Sequence, residues 1–351
     1  MKDSCLPQSS HHLYGVEPNG NLNSYSFNPH VKTTSKVTIW KLKKLFKLFD
    51  IYLSLRQGTY KKSSARFKDI DFLCKTFNAL RDHQDVDRRD LQKTIILLLR
   101  LGASGYLKHM QHHLSFFKPG LTPQYIEVIS KMNFDIPPKD ELIFHTCNPD
   151  VYLWMPEPSK KVEKVIIIFG TISNTLNMPR PMAHFILSKL GVALMYIKNH
   201  KGLEVPEVFH HHDMNKAAEP ILKIMQSHQL KTAYGLGVSF GGFRICEMAR
   251  LLKLKRVLNF SGAKINRGSN KWVDEVPNIH DYPLENILTV FSKQDKTDQD
   301  LEAMYQRKGF LTKKAWVDSK THGSFSAAFL EDKLPSLLAW LIEEEELSST
   351  A

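Results

Sequence analysis

The stretch Tyr234 to Glu247, YGLGVSFGGFRICE, holds one serine, Ser239, with Gly237 and Gly241 two residues away on either side. A serine hydroxyl is a weak nucleophile at neutral pH unless a base takes its proton as it attacks. A histidine held in one tautomer by a carboxylate is such a base. Downstream the chain carries the required types. Asp295 closes Phe291-Ser292-Lys293-Gln294-Asp295, Asp298 follows three residues later, and His322 lies in Thr321-His322-Gly323. Each signal is weak alone. A G-x-S-x-G match arises by chance in roughly one chain in ten of this length, an aspartate followed by Lys-Thr-Asp commonly caps a helix, and Thr-His-Gly is ordinary loop sequence. What sharpens them is their place among strands and helices.

A nucleophile at a tight turn needs a buried strand running in and a helix running out, with small neighbours so that the two backbones can approach. Thr232–Val238 is a short apolar run without a helical charge pattern, and Phe243–Leu254 has apolar residues at helical spacing with no glycine or proline. Around them the chain alternates. Strands are expected at Glu141–Cys147, Val151–Met155, Lys164–Phe169, Val192–Ile197, Arg256–Phe260, Ile287–Phe291 and Lys314–Val317, and helices at Met182–Leu190, Asn215–His228, Asp298–Arg307 and Lys333–Glu346. Short apolar strands alternating with helices predict an α/β protein with a mostly parallel sheet covered on both faces.

From about Asp140 onward this pattern resembles the α/β-hydrolase superfamily, whose serine, acid and histidine occur in that chain order at the ends of successive strands. The resemblance implies Ser239 as nucleophile, Asp295 as the acid after ILTVF, and His322 as the base after the last strand, with Asp298 the alternative acid. It also implies an oxyanion hole from the N–H of Phe240 and, from the loop after KVIIIF, of Thr171. Ser292 stands where glycine is frequent in the acid loop, and Phe169-Gly170-Thr171 where relatives often carry His-Gly. The activity implied is cleavage of a carboxylic ester or thioester, a small-molecule acyl substrate, with no cofactor and no metal.

The chain has 351 residues and a net charge of +12, but nine basic residues against one acid fall between Val31 and Lys62. A local surplus of this kind concerns a surface rather than the core, and without a reader motif it argues against nucleic acid. Within it, residues 37–53 pattern as an amphipathic basic helix, which either packs on protein or lies on an anionic membrane surface. Residues 1–35 are expected to be unstructured, 36–138 a helical N-terminal extension packing on the core, and 139–348 the catalytic domain. The 24 or so residues between Phe260 and Glu285 are too few for a large cap, so the extension and the loop Lys198–Asp213 are expected to wall the site. Four scattered cysteines and no long apolar run imply a reducing, cytoplasmic setting, with membrane-surface association left open. The adjacent His210, His211, His212 and Asp213 point different ways and do not make a metal site.

Three other readings fit the same residues. A prolyl-oligopeptidase-like peptidase shares G-x-S-x-G-G, with Gly242 as the extra glycine, but the N-terminal half leaves no room for a propeller. An acyltransferase would use the same triad with an acceptor other than water. A binding module could keep the scaffold with a silent triad.

Overall fold

The computed structural model describes residues 71–73, 75–76, 93–94, 97, 123–132, 145–148, 151–156, 161–171, 175–178, 180–197, 214–266 and 271–343. They fall in two compact units divided between Glu141 and Leu142. The expected unstructured stretch 1–35, the basic helix 37–53 and the loop 198–213 lie outside the described residues.

In the first unit, α1 (Pro123–Lys131) buries Val128 and Ile129, and Met132 just after it is buried too. Leu73 and Leu97, within the helical extension expected over 36–138, are helical and fully buried.

The second unit is built on strands β1 (His145–Asn148), β2 (Val151–Trp154), β3 (Lys164–Phe169), β4 (Ala193–Ile197), β5 (Thr232–Val238), β6 (Val257–Phe260), β9 (Ile287–Ser292) and β10 (Lys313–Val317). They form one sheet in the order β1-β2-β4-β3-β5-β6-β9-β10. Only β2 runs against its neighbours, and β3 to β10 are parallel. A separate antiparallel hairpin, β7 (Ile265–Asn266) with β8 (Lys271–Trp272), interrupts the chain between β6 and β9.

The strand sequences explain the layering. KVIIIF, ALMYI and ILTVFS are continuous apolar runs buried along their length apart from Lys164, which is what parallel strands covered on both faces require. The covering helices are α2 (Arg180–Leu187), α3 (Met214–Ser227), α4 (Phe240–Met248), α5 (Lys296–Arg307), α6 (Ser324–Leu330) and α7 (Leu334–Leu341). On one side Ala217, Ile221 and Ile224 of α3, Ile245 of α4 and Leu301 and Met304 of α5 close over Val165, Ile167, Met195 and Phe291. This strand order, with a sharp turn at Ser239 after β5, is the α/β-hydrolase fold. Because the strands are parallel, the carboxyl ends of β3, β5, β9 and β10 share one edge, and every candidate site residue lies just past that edge.

Among the boundaries that differ from the sequence expectation, two matter for the site. Helix α4 starts at Phe240, directly after Ser239, rather than at Phe243, and α5 starts at Lys296, two residues before Asp298. The hairpin β7–β8 and helix α6 were not expected. Two-residue strands carry no periodicity, and α6 (SFSAAFL) has five of its seven residues buried and so no polar face to set a pattern.

One buried polar group ties α2 to the sheet. His184 is nearly inaccessible, its Nδ1 lies 2.9 Å from the Tyr196 hydroxyl of β4, and its ring stands edge-on to Trp154 of β2 at 5.0 Å. Burial pushes its imidazole down from 6.5 to about 3. Between these values the unfolded chain binds a proton that the folded one refuses, so stability is full above pH 6.5 and falls as pH drops. The slope is about 1.4 kcal/mol per pH unit, or about 2 kcal/mol by pH 5. Urea titrations at pH 7 and 5 should show this loss in the wild type and a smaller one in His184→Gln; equal losses would assign it to other groups.

Candidate active site

Ser239 sits at the tip of the turn between β5 and α4 with φ 55° and ψ −123°, a region that side-chain-bearing residues rarely adopt and that costs about 1–3 kcal/mol. Its backbone is held on both sides. The Ser239 N–H donates to Phe260 O at 2.8 Å, and its carbonyl accepts from Phe243 N at 3.2 Å and Ala263 N at 3.3 Å.

The flanking glycines are required by contact. A Cβ on Gly237 would lie 2.4 Å from Gly241 O, and one on Gly241 would lie 2.2 Å from Phe169 O and 2.3 Å from Gly170 O. The first turn of α4 therefore rests directly on the exit of β3. This brings Phe240, the first residue of α4, beside the loop that begins at Gly170.

His322 enters from the loop after β10. Its Nε2 lies 3.1 Å from Ser239 Oγ and its Nδ1 2.5 Å from Asp298 Oδ1. The carboxylate is fully buried, and its other oxygen, Oδ2, accepts from the Ser292 N–H at 2.6 Å and from the Ser261 hydroxyl at 2.6 Å. Ser261 has one proton and gives it to Asp298, so its contact with Ser324 Oγ at 2.9 Å is one it accepts. Three donors thus meet a carboxylate that would be costly to bury alone.

Asp295, expected as the acid, stands elsewhere. It is the N-cap of α5, and its Oδ1 accepts from the Asp298 N–H at 3.0 Å. The alternative, Asp298, faces His322. The physical reason is the early start of α5: the residue that leaves the strand satisfies the helix's free amides, and the next turn brings residue 298 back over the end of β9. The ligand-type atoms of Asp295, Asp298 and His322 lie within 4.8 Å of one another, but His322 Nδ1 and Asp298 Oδ1 already bond each other.

Of the two expected oxyanion donors, Phe240 lies where the resemblance implies, directly after Ser239. Thr171 differs, because its N–H donates to Thr175 O at 2.8 Å and its hydroxyl lies 2.9 Å from that of Thr175, closing a turn. That turn is local chemistry that residue types alone did not disclose. Asn177, in the loop after β3, donates through Nδ2 to the His322 carbonyl at 3.3 Å. Residues 210–213 lie outside the described residues.

Two further residues had no signal in the sequence. Ser261, just past β6, reaches Asp298 only because β6 and β9 are neighbours. Trp272, at the end of β8, sets its ring across that of His322 at 4.8 Å between centroids and 79° between planes.

No family model matches the sequence, and no curated protein matches it. Among solved structures, the chain is similar to XC6422 of Xanthomonas campestris, described as an α/β serine hydrolase without a lid, at 17% identity and a TM-score of 0.40, covering 57% of this chain and 90% of that one. It is similar to Est1E of Butyrivibrio proteoclasticus at 14% identity and a TM-score of 0.39, covering 57% and 98%. Acylaminoacyl peptidase of Pyrococcus horikoshii is similar at 15% identity and a TM-score of 0.38, over 57% of this chain and 40% of that one.

Proposed function

We propose that the chain is a serine hydrolase that cleaves a carboxylic ester or thioester through an acyl-Ser239 intermediate. The observation that carries this reading is the line Ser239 Oγ, His322 Nε2 and Nδ1, Asp298 Oδ1, with separations of 3.1 and 2.5 Å. His322 takes the hydroxyl proton on Nε2 as Oγ bonds to the substrate carbonyl carbon, and the carbonyl oxygen becomes an oxyanion turned toward the Phe240 N–H. As the tetrahedral species collapses, His322 returns that proton to the departing oxygen or sulfur. Water then repeats the sequence: His322 takes a proton from it, hydroxide bonds to the acyl carbon, and the proton goes back to Ser239 Oγ as the acid leaves. Asp298 holds Nδ1–H in place and stabilises the imidazolium of each half.

A fluorophosphonate probe tests the reading directly, since Oγ must bond to phosphorus as fluoride leaves. Peptide mass spectrometry should find the adduct on Ser239 in the wild type and none on Ser239→Ala. An unlabelled wild-type protein would leave a silent scaffold as the better description.

A further inference from the structure

Trp272 is 37% exposed, whereas Trp154 and Trp340 are buried to 1%. An open aromatic face beside a reactive imidazole invites the question of what covers it during turnover. The hairpin that carries the ring is well tied. Val273 N donates to Lys264 O at 2.9 Å, Lys264 pairs with Glu275, and Asp274 accepts from Arg307 of α5 at 2.8 Å. Trp272 is therefore a fixed platform.

The chemistry tells which part of a substrate meets it. On the proposed acyl-serine reading, His322 must hand its proton to the departing atom, which has to sit within hydrogen-bond reach of Nε2. Whatever is attached to that atom extends past the imidazole. The acyl carbon, by contrast, is bonded to Oγ with its oxygen turned toward Phe240, so the acyl chain starts from the other side of the centre. Trp272 stands 4.8 Å from the imidazole that serves the departing atom.

We infer that Trp272 selects the leaving group, its open face taking a flat apolar or aromatic alcohol or thiol. This rests on the hydrolase reading above, and the experiment separates the two. Benzyl acetate and ethyl acetate share an acyl group and release alcohols of similar basicity. In the full-length protein, Trp272→Ala should lower kcat/KM for the benzyl ester about tenfold, the size expected for one lost aromatic contact with its buried area. The ethyl ester should lose less than the benzyl ester, and Trp272→Phe should keep most of the benzyl preference. Equal losses on both esters would overturn the inference and leave Trp272 as mere support for His322. Benzyl alcohol should also slow fluorophosphonate labelling of Ser239 in the wild type and not in Trp272→Ala; equal protection of both would overturn it as well. A wild type that labels but shows neither effect sinks this inference alone, whereas one that does not label sinks the hydrolase reading and this with it.

Discussion

Ser239→Ala and His322→Ala are each expected to lower kcat on an activated ester by about 10⁶, and the double variant by no more than either single one. The reason is the shared proton. Oγ lies 3.1 Å from Nε2, and on the proposed mechanism a nucleophile without its base keeps its proton and a base without its nucleophile has nothing to activate. Losses of two residues that perform one step do not add. Steady-state rates on p-nitrophenyl acetate, with circular dichroism to confirm folding, provide the measurement. Retention of more than a few per cent of turnover in Ser239→Ala, or multiplied losses in the double variant, would show that the two do not act as a unit.

The two aspartates should separate just as clearly. Asp298→Asn is expected to lower kcat about 10⁴-fold, because an amide facing Nδ1 no longer fixes the tautomer in which Nε2 can accept the serine proton. Asp295→Ala should instead lower stability by about 1 kcal/mol through loss of the N-cap, with kcat within a few-fold of wild type. Both residues lie at the start of α5, so a general disturbance of that helix would affect them alike. Kinetics and urea unfolding on the same two proteins therefore distinguish a partner of His322 from a helix cap. The opposite ranking would return the acid role to Asp295.

How much of this was legible beforehand follows from which features are local. Ser239 and His322 could be found because each is a residue type at the end of a strand, and strands such as TAYGLGV and ILTVF announce themselves by apolar runs. Choosing between Asp295 and Asp298 needed the first turn of α5 to be placed within two residues, finer than apolar periodicity resolves. Ser261 and Ser324 are unremarkable in the sequence, and only the neighbouring of β6 and β9 brings Ser261 to the Asp298 carboxylate, whereas Ser292, marked only as a departure from glycine, reaches it from the end of β9 itself. Trp272 was hidden for a different reason: the connection from Phe260 to Glu285 is too short for a large cap, yet a hairpin of two two-residue strands fits within it. Thr171 lies in the loop after β3, but the direction of its N–H depends on a turn closed with Thr175.

The separation of 83 residues between Ser239 and His322 has a consequence for the chain as it is made. Synthesis proceeds at about 5–20 residues per second, so the histidine follows the serine by roughly 4–17 seconds. Throughout that interval the growing polypeptide holds Ser239 without His322, and β10, at the edge of the sheet, is made only near its end. The contact of 3.1 Å between Ser239 Oγ and His322 Nε2 therefore cannot form until the chain beyond β10 has been made.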